Sequence, residues 1–128
     1  MSFVLAGAVE NLTLTGTPNL NGTGNNGDNI LTGNDGDNSL TGGKGHDTLS
    51  GGLGADSFVF GLSSGADTIT DFSASQGDTI DVSAYTHGTP HSAYIFQAGL
   101  DTTIDLGGGN VITVTGVVMA DVAAHVVW

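Results

Sequence analysis

Four consecutive nine-residue units of nearly the same pattern occupy residues 24–59. They begin at Gly24, Gly33, Gly42 and Gly51 and align as G-[GN]-x-G-x-[DN]-x-U-x, where U is a large apolar residue. One such unit is too short to bury an apolar face by itself, so neighbouring units must stack and share a core. The period therefore predicts a coiled, repetitive architecture.

Each unit divides into a turn and a short strand. Its first six residues are mainly glycine, asparagine and aspartate, which tolerate the positive φ angles of tight turns. Its last three residues place one apolar side chain between small or β-favouring residues, as in a minimal strand. Two units then make one coil of 18 residues, with the strands in two parallel sheets. The apolar residues expected to stack inside the coils are Leu31, Leu40, Leu49 and Phe58.

The turns of such a coil bring polar side chains of neighbouring coils together. With two units per coil, the sixth-position residues face each other as Asn29 with Asp47 and as Asn38 with Asp56. Close carboxylates repel unless a cation neutralises them, and calcium accepts about six to eight oxygen ligands, backbone carbonyls included. The pattern therefore predicts calcium between facing turns. For the asparagine-bearing units an alternative remains, in which the side chains only cap turns.

The composition agrees with ion-binding turns. The net charge is −12, Lys44 is the only basic residue, and twelve of the thirteen acidic residues are aspartate. The short carboxylate suits turns and ion cages, whereas a merely solvated acidic surface would usually contain glutamate as well. The charge disfavours nucleic acid and anionic membranes as partners, and no stretch approaches the roughly 20 apolar residues of a membrane helix. Without cysteine, no disulfide can staple the fold.

The chain is predicted to form a single domain with three segments. Residues 1–23 hold a lead-in strand and a degenerate repeat, residues 24–70 the roll, and residues 71–128 an antiparallel cap, since a solenoid needs protection at its open end. The cap is predicted from strands near 77–82 and 93–96, a hairpin joining 102–106 to 111–115, and a short helix or frayed strand within 119–127.

A further copy of the unit lies out of register at residues 62–70. It keeps Gly65, Asp67 and Ile69 at the fourth, sixth and eighth positions after a two-residue insertion. Asp67 is therefore expected to face Asp47 in a third site, with Asp71 nearby. We expect about two to four calcium ions, held by side chains and turn carbonyls. The predicted ligand residues are Asn29, Asn38, Asp47, Asp56, Asp67, Asp71, Gly42, Gly43, Lys44, Gly45, Gly52 and Gly54.

The nonapeptides resemble those of the RTX (repeat-in-toxin) family of calcium-binding β-rolls. The tail is similar to the C-terminal region of serralysin-type secreted proteins in its segments 65–72 and 77–85 and in the hairpin that follows. The resemblance implies an all-β, right-handed parallel β-roll, several calcium ions, and export by a type I secretion machine that reads an uncleaved C-terminal signal. It also implies that the sixth-position residues Asp47 and Asp56 bind calcium together with turn carbonyls. The chain departs from the family pattern at Asn29 and Asn38.

Two other motifs carry weaker signals. Residues 22–27 match the dinucleotide fingerprint G-x-G-x-x-G, yet they precede another turn and strand where that motif requires a helix. His87 and His91 have the spacing H-x3-H, but zinc needs further ligands, and the glycine and proline between them favour a surface loop. No Ser-His-Asp or paired-carboxylate constellation stands out, so the chain is predicted not to be an enzyme.

The sequence leads to one main functional hypothesis and one alternative. The main hypothesis is a non-catalytic calcium-binding module of a larger secreted, extracellular protein, folding on calcium outside the cell. Such a module supports type I secretion and the stability of an attached catalytic or adhesive domain. The alternative is a module that binds a polysaccharide or a partner protein on the acidic, threonine-rich sheet face; exposed aromatic residues would favour it.

Overall fold

The computed structural model describes residues 1–86 and 94–128. Its strands are β1 (Ser2–Val4), β2 (Asn11–Thr13), β3 (Asn21–Thr23), β4 (Ile30–Thr32), β5 (Ser39–Thr41), β6 (Thr48–Ser50), β7 (Ser57–Val59), β8 (Ala66–Ile69), β9 (Thr79–Asp81), β10 (Ile95–Ala98), β11 (Asp101–Gly107), β12 (Asn110–Val114) and β13 (Val126–Val127). Its helices are a 3₁₀ helix (Ala74–Gln76), α1 (Ser83–Thr86) and α2 (Met119–Ala123).

Successive strands alternate between two sheets, so that the chain winds as a parallel roll. One sheet has the order β1-β3-β5-β7-β9-β13, and the other has the order β10-β11-β12-β8-β6-β4-β2. Neighbouring roll strands are parallel and pair equivalent positions, for example Leu31 with Leu49 and Leu40 with Phe58. The predicted all-β parallel roll with an antiparallel portion is therefore confirmed.

The core is a narrow column of the central side chains of the strands. Leu31, Leu40, Leu49 and Phe58 are fully buried, as the nine-residue spacing predicted. Ile69 and Ile80 continue the two stacks in β8 and β9, and both are also fully buried. Because each strand contributes one apolar residue to a thin core, the turns have to supply much of the contact between coils.

The C-terminal segment extends both sheets. The predicted hairpin is present as β11 and β12, and β12 also pairs in parallel with β8, placing Val114 opposite Ile69. β10 adds an antiparallel edge strand to β11, and α2 packs against this pair with Val122 fully buried. After α2, β13 pairs in parallel with β9. Both sheets therefore gain their last strands from the end of the chain.

The roll is longer than the four regular units. β1, β2 and β3, within the segment predicted as lead-in and degenerate repeat, already pair as parallel roll strands. β9, within the segment predicted as antiparallel cap, pairs in parallel with β7. At the N-terminal end the strands stay nine or ten residues apart, but the turns lose their glycine and asparagine pattern. At the C-terminal end longer turns separate the strands, and the strand pairing continues through both ends. No helix among the described residues is long and apolar enough to cross a membrane.

Candidate metal centre

Within the described residues 1–86, the roll has four coils, residues 5–23, 24–41, 42–59 and 60–81, which are numbered from the first to the fourth. Their turns form two columns, one on each side of the roll. One column contains turns 24–29 and 42–47 and the segment 60–67, and the opposite column contains turns 33–38 and 51–56 and the segment 70–78. Each turn projects its sixth-position side chain inward, although that side chain is polar. These residues are at most 2% exposed: Asn29, Asn38, Asp47, Asp56, Asp67 and Asp78.

A ladder of hydrogen bonds joins the sixth positions of neighbouring coils. In the first column, the N–H of Asn29 donates to Asp47 Oδ1 at 2.7 Å, and the N–H of Asp47 donates to Asp67 Oδ1 at 2.9 Å. In the opposite column, the N–H of Asn38 donates to Asp56 Oδ1 at 2.8 Å. The predicted facing pairs are therefore brought together, including the out-of-register Asp67. Their role as calcium ligands stays a prediction.

Three of these carboxylates are incompletely satisfied. Among the described residues, the buried side-chain oxygens without a hydrogen-bond partner are Asp47 Oδ2, Asp56 Oδ2 and Asp67 Oδ2. A buried carboxylate oxygen without a partner is costly, because the charge has lost its water and gained nothing in exchange. A hard cation with oxygen ligands fits these positions, and calcium is the cation that accepts such a mixture of carboxylate and carbonyl oxygens.

The backbone around these oxygens is built from glycine for two reasons. Gly45 has φ +111°, and a methyl group there would lie 2.7 Å from the carbonyl oxygen of Gly27 in the preceding coil. Gly42 has an ordinary φ, yet a methyl group on it would collide with Asp47 Oδ2. The remaining predicted turn glycines share the positive φ and the close approach to a preceding carbonyl: Gly43, Gly52 and Gly54.

Main-chain oxygens have to supply much of any metal shell here. Over residues 1–86 and 94–128, no three histidine, cysteine, aspartate or glutamate side chains are grouped so as to hold a metal ion by themselves. Calcium needs about six to eight oxygens, so the carbonyls of the close-packed turns are required. Lys44 can fit this role only through its backbone carbonyl, because its side chain is exposed and an ammonium group has no lone pair for a cation.

Asp71 is placed beside turn 51–56, where it caps the turn. Its Oδ1 accepts the N–H of Gly51 at 2.8 Å, and its Oδ2 accepts the N–H of Gly52 at 2.9 Å. The Ser50 hydroxyl donates to Oδ2 as well, at 2.8 Å. Both carboxylate oxygens of Asp71 are thus occupied by turn donors.

Sequence reasoning missed Asp78, which occupies the sixth position of the last turn. Its Oδ1 accepts the N–H of Asp56 at 2.9 Å, and its Oδ2 accepts the N–H of Ser73 at 2.8 Å. The signal was present, because Asp78 and Ile80 keep the sixth and eighth positions of the unit. The longer preceding turn displaced them from the period, and the segment was interpreted as part of the cap.

A second ladder, also missed, runs through the fifth positions. Asp28 Oδ1 accepts the N–H of His46 at 2.8 Å, and Asp37 Oδ1 accepts the N–H of Ala55 at 2.9 Å. Each bond joins one coil to the next at the exposed edge of the turn. The signal was the repeated Gly-Asp-Asn of the first two units, in which the aspartate at position five precedes the asparagine at position six.

Burial raises the pKa of the inward-facing carboxyl groups. The pKa of Asp56 rises to about 6, mainly through loss of solvent and further through the charges of Asp78 and Asp71. The pKa of Asp67 also rises to about 6, again mainly through burial and further through Asp47, against hydrogen bonds from the Asp47 N–H and the Ser64 hydroxyl. Burial raises the pKa of Asp47 and of Asp78 in the same direction.

These shifts predict that acid stabilises the metal-free roll. Because the folded pKa of Asp56 and of Asp67 is about 6 against 3.8 for an ordinary Asp, the folded state binds more protons than the unfolded state between these values. This stability is complete below pH 3.8 and is lost as pH rises through about 6, at most about 3 kcal/mol per carboxyl group. In calcium-free buffer, far-ultraviolet circular dichroism should therefore show more folded protein near pH 4.5 than at pH 7. Less folded protein near pH 4.5 than at pH 7 would contradict the burial of these groups without a counterion.

Replacing Gly45 by alanine should destabilise the calcium-loaded roll by about 1–3 kcal/mol, because an alanine is strained at this φ. The added methyl would lie 2.7 Å from a backbone oxygen that cannot rotate away. Gly61→Ala is the matched control, since its added methyl meets nothing within 4 Å and its φ is not positive. Denaturant unfolding of both variants in saturating calcium measures the difference. Equal free energies of unfolding for the two variants would show that Gly45 does not lie this close to the carbonyl oxygen of Gly27.

Of the two weaker motifs, the structure describes the dinucleotide fingerprint at residues 22–27 but not the histidine pair. Gly22 lies in β3, and the segment from Gly22 to Gly27 runs through a turn into β4, with no helix opening there. The residues therefore lack the strand-to-helix context of a dinucleotide site. His87 and His91, considered for zinc, lie outside the described residues.

Comparisons with known proteins agree with this geometry. A family model described as the RTX calcium-binding nonapeptide repeat, in four copies, matches residues 23–58. Among solved structures, the chain is similar to the AlgE6R3 subunit from the Azotobacter vinelandii mannuronan C5-epimerase, with 26% identity and a TM-score of 0.52, over 98% of this chain and 77% of that chain. It is also similar in fold to the extracellular lipase LipA from Serratia marcescens, with 23% identity and a TM-score of 0.58, over 81% of this chain and 20% of that chain. No curated protein sequence matches the chain.

Proposed function

Because the chain carries four copies of the RTX calcium-binding nonapeptide repeat, we propose that it is a non-catalytic module whose coils are joined by calcium ions. RTX nonapeptide repeats bind calcium ions. The observation that carries the proposal is the set of three buried carboxylate oxygens without a partner, on Asp47, Asp56 and Asp67. Each lies where two coils meet, and each would receive one ion.

The side chains and turns have separate tasks in this proposal. The three aspartates supply negative charge between the coils and keep one oxygen for the N–H of the preceding coil. The glycines let the turns approach closely enough for carbonyl oxygens to complete the shell. Carbonyls of Gly42, Gly43, Lys44, Gly45, Gly52 and Gly54 are the proposed backbone ligands. A bound calcium ion supplies the positive charge that these buried oxygens lack.

Calorimetric titration of the calcium-free protein tests the ion count. We expect three ions per chain, with affinities near the roughly 10⁻⁴–10⁻³ M typical of extracellular calcium modules. The variant that combines D47N, D56N and D67N removes all three charges at nearly constant volume and should bind no calcium in this range. Undiminished binding by this variant would contradict the proposed sites.

We further propose that the module belongs to a larger secreted protein and folds after export. The support is the fold similarity to an extracellular lipase, of which the matched region is only 20%, together with the similarity of the tail to type I-secreted proteins. Affinities of about 10⁻⁴–10⁻³ M leave the sites empty at cytosolic calcium and fill them outside the cell. Export of a reporter protein fused ahead of this chain by a type I secretion apparatus checks the idea. Retention of the fusion inside cells that export a known substrate would contradict it.

Polysaccharide binding is the second candidate, and the similarity to the AlgE6R3 subunit is the observation that favours it. Mannuronan is a polyuronate, so a chain with a net charge of −12 and a single lysine repels it unless calcium bridges the two. Affinity electrophoresis in gels containing mannuronan or a neutral glycan, with and without calcium, distinguishes these cases. Unretarded migration in every gel would remove the candidate.

A further inference from the structure

The four regular units fall into two classes that differ at two positions together. The first two units have asparagine at positions two and six, whereas the last two have glycine at position two and aspartate at position six. The residues are Asn25 with Asn29 and Asn34 with Asn38, against Gly43 with Asp47 and Gly52 with Asp56. The glycines have positive φ, and the asparagines at the same position do not. The paired exchange therefore changes side-chain chemistry and backbone together.

In the first column, both asparagine amides donate to carbonyls of the preceding coil. Asn25 Nδ2 donates to the carbonyl oxygens of Ala6 at 2.8 Å and of Val9 at 2.7 Å. Asn29 Nδ2 lies 3.3 Å from the carbonyl oxygens of both Val9 and Glu10. Four contacts from two amides thus satisfy carbonyls that face into the space between the first and second coils.

The two asparagines also hold each other. Asn29 Nδ2 donates to Asn25 Oδ1 at 3.1 Å, and Asn29 Oδ1 accepts the N–H of Asn25 at 2.7 Å. Asn25 Oδ1 accepts the N–H of Gly27 as well, at 2.8 Å. The pair is neutral, and its side-chain oxygens and nitrogens are all engaged within the protein.

The opposite column repeats the arrangement independently. Asn34 Nδ2 donates to the carbonyl oxygens of Thr15 at 3.2 Å and of Pro18 at 3.0 Å. Asn38 Nδ2 donates to the Leu20 carbonyl at 3.0 Å and to Asn34 Oδ1 at 2.9 Å. The same chemistry therefore closes both sides of the same coil boundary.

We propose that the two asparagine pairs, Asn25 with Asn29 and Asn34 with Asn38, take the place of calcium between the first and second coils. An amide N–H and a cation both present positive charge to carbonyl oxygens, so the pair satisfies the carbonyls without a metal. The inference rests on the proposed calcium function, and it changes the role first predicted for Asn29 and Asn38. These residues close a metal-free boundary, and the ions are confined to the later coils.

The proposal accounts for every turn boundary between the first four coils. Asparagine pairs close the first boundary in both columns. The three unpartnered carboxylates lie at later boundaries, and the last boundary of the second column is closed by Asp78, whose second oxygen accepts the Ser73 N–H. Protein hydrogen bonds thus close the first boundary in both columns and the last boundary of the second column, and calcium is required only at the three boundaries that contain Asp47, Asp56 and Asp67.

Converting an asparagine pair to the glycine–aspartate form should create a new calcium site. The variant N25G/N29D should raise the stoichiometry from three ions to four, measured by calorimetry and by native mass spectrometry. N34G/N38D should do the same in the opposite column, which keeps the test decisive if one variant fails to fold. The matched control is N26D, which adds the same charge to an exposed position of the same turn and should leave the count at three.

The outcomes separate this inference from the proposed function. If the native chain binds three ions and both folded double variants also bind three, the replacement of calcium by asparagine is wrong while the calcium function stands. If Asn29→Ala lowers the count below three, Asn29 is a calcium ligand and the inference is overturned. If the native chain binds no calcium, the proposed function fails first.

Discussion

Removing calcium at neutral pH should unfold the roll. A ligand that binds only the folded state stabilises it by RT ln(1 + [L]/Kd), or about 2.7 kcal/mol per site at a hundredfold excess over Kd. Three sites then contribute about 8 kcal/mol, which is comparable with the whole stability of about 5–15 kcal/mol typical of a domain. Far-ultraviolet circular dichroism during a calcium titration should show conversion from coil to sheet.

The reason for so large an effect is the thin core. Each strand of the regular units buries a single apolar side chain, and the parallel strand pairing between coils is flanked on both sides by turns that carry buried carboxylates. Without an ion, Asp47, Asp56 and Asp67 each keep a desolvated oxygen without a partner. A sheet spectrum and a Tm that are unchanged by excess chelator at pH 7 would refute calcium-driven folding.

Magnesium serves as the control for this experiment. It demands near-ideal octahedral geometry and sheds its water reluctantly, whereas an array of turn carbonyls suits a larger ion with loose geometry. At equal concentration, magnesium should therefore leave the calcium-free protein largely unfolded. Equal stabilisation by the two ions would indicate simple screening of the net charge of −12 rather than specific cages.

Replacing Asp47 by asparagine should remove one ion and weaken calcium binding more than any substitution at Asn29. Asp47 supplies a full charge at a buried boundary, and it also links to the next coil through its N–H and Asp67. The substitution preserves volume and removes the charge, which is one of the terms that tune calcium affinity. Calorimetry should give a count of two ions instead of three and a reduced apparent affinity.

Two comparisons make this result specific. Asp105→Asn, on the exposed face of the β11–β12 hairpin, should leave calcium binding unchanged, because an asparagine oxygen can still accept the N–H of Gly107 there. Asn29→Ala should lower stability while keeping three ions. A larger effect on calcium affinity from Asp105→Asn than from Asp47→Asn would show that the sites are assigned to the wrong turns.

The sequence by itself determined the repetitive part of the fold. A strict nine-residue period leaves little freedom, since glycine and asparagine fix the turns and one apolar residue per unit fixes the inward face. The stacking of Leu31 on Leu49, the facing of Asn29 and Asp47, and the hairpin at 102–115 all follow from such local signals. Even the displaced Asp67 could be aligned, because its insertion is only two residues long.

Only the tertiary structure decided where the repeat loses its period and what the sixth-position residues do. Asp78 returns to the ladder after a longer turn, and β12 joins β8 through contacts distant in sequence, which no local pattern encodes. The sequence predicted Asn29 and Asp47 as ligands of the same calcium site, with turn capping as the alternative for the asparagine. Their chemistry diverges in three dimensions, because the amide of Asn29 can donate to carbonyls of the preceding coil while the carboxylate of Asp47 can only accept. A one-dimensional period records which residues face each other, but hydrogen-bond satisfaction depends on the atoms that surround them.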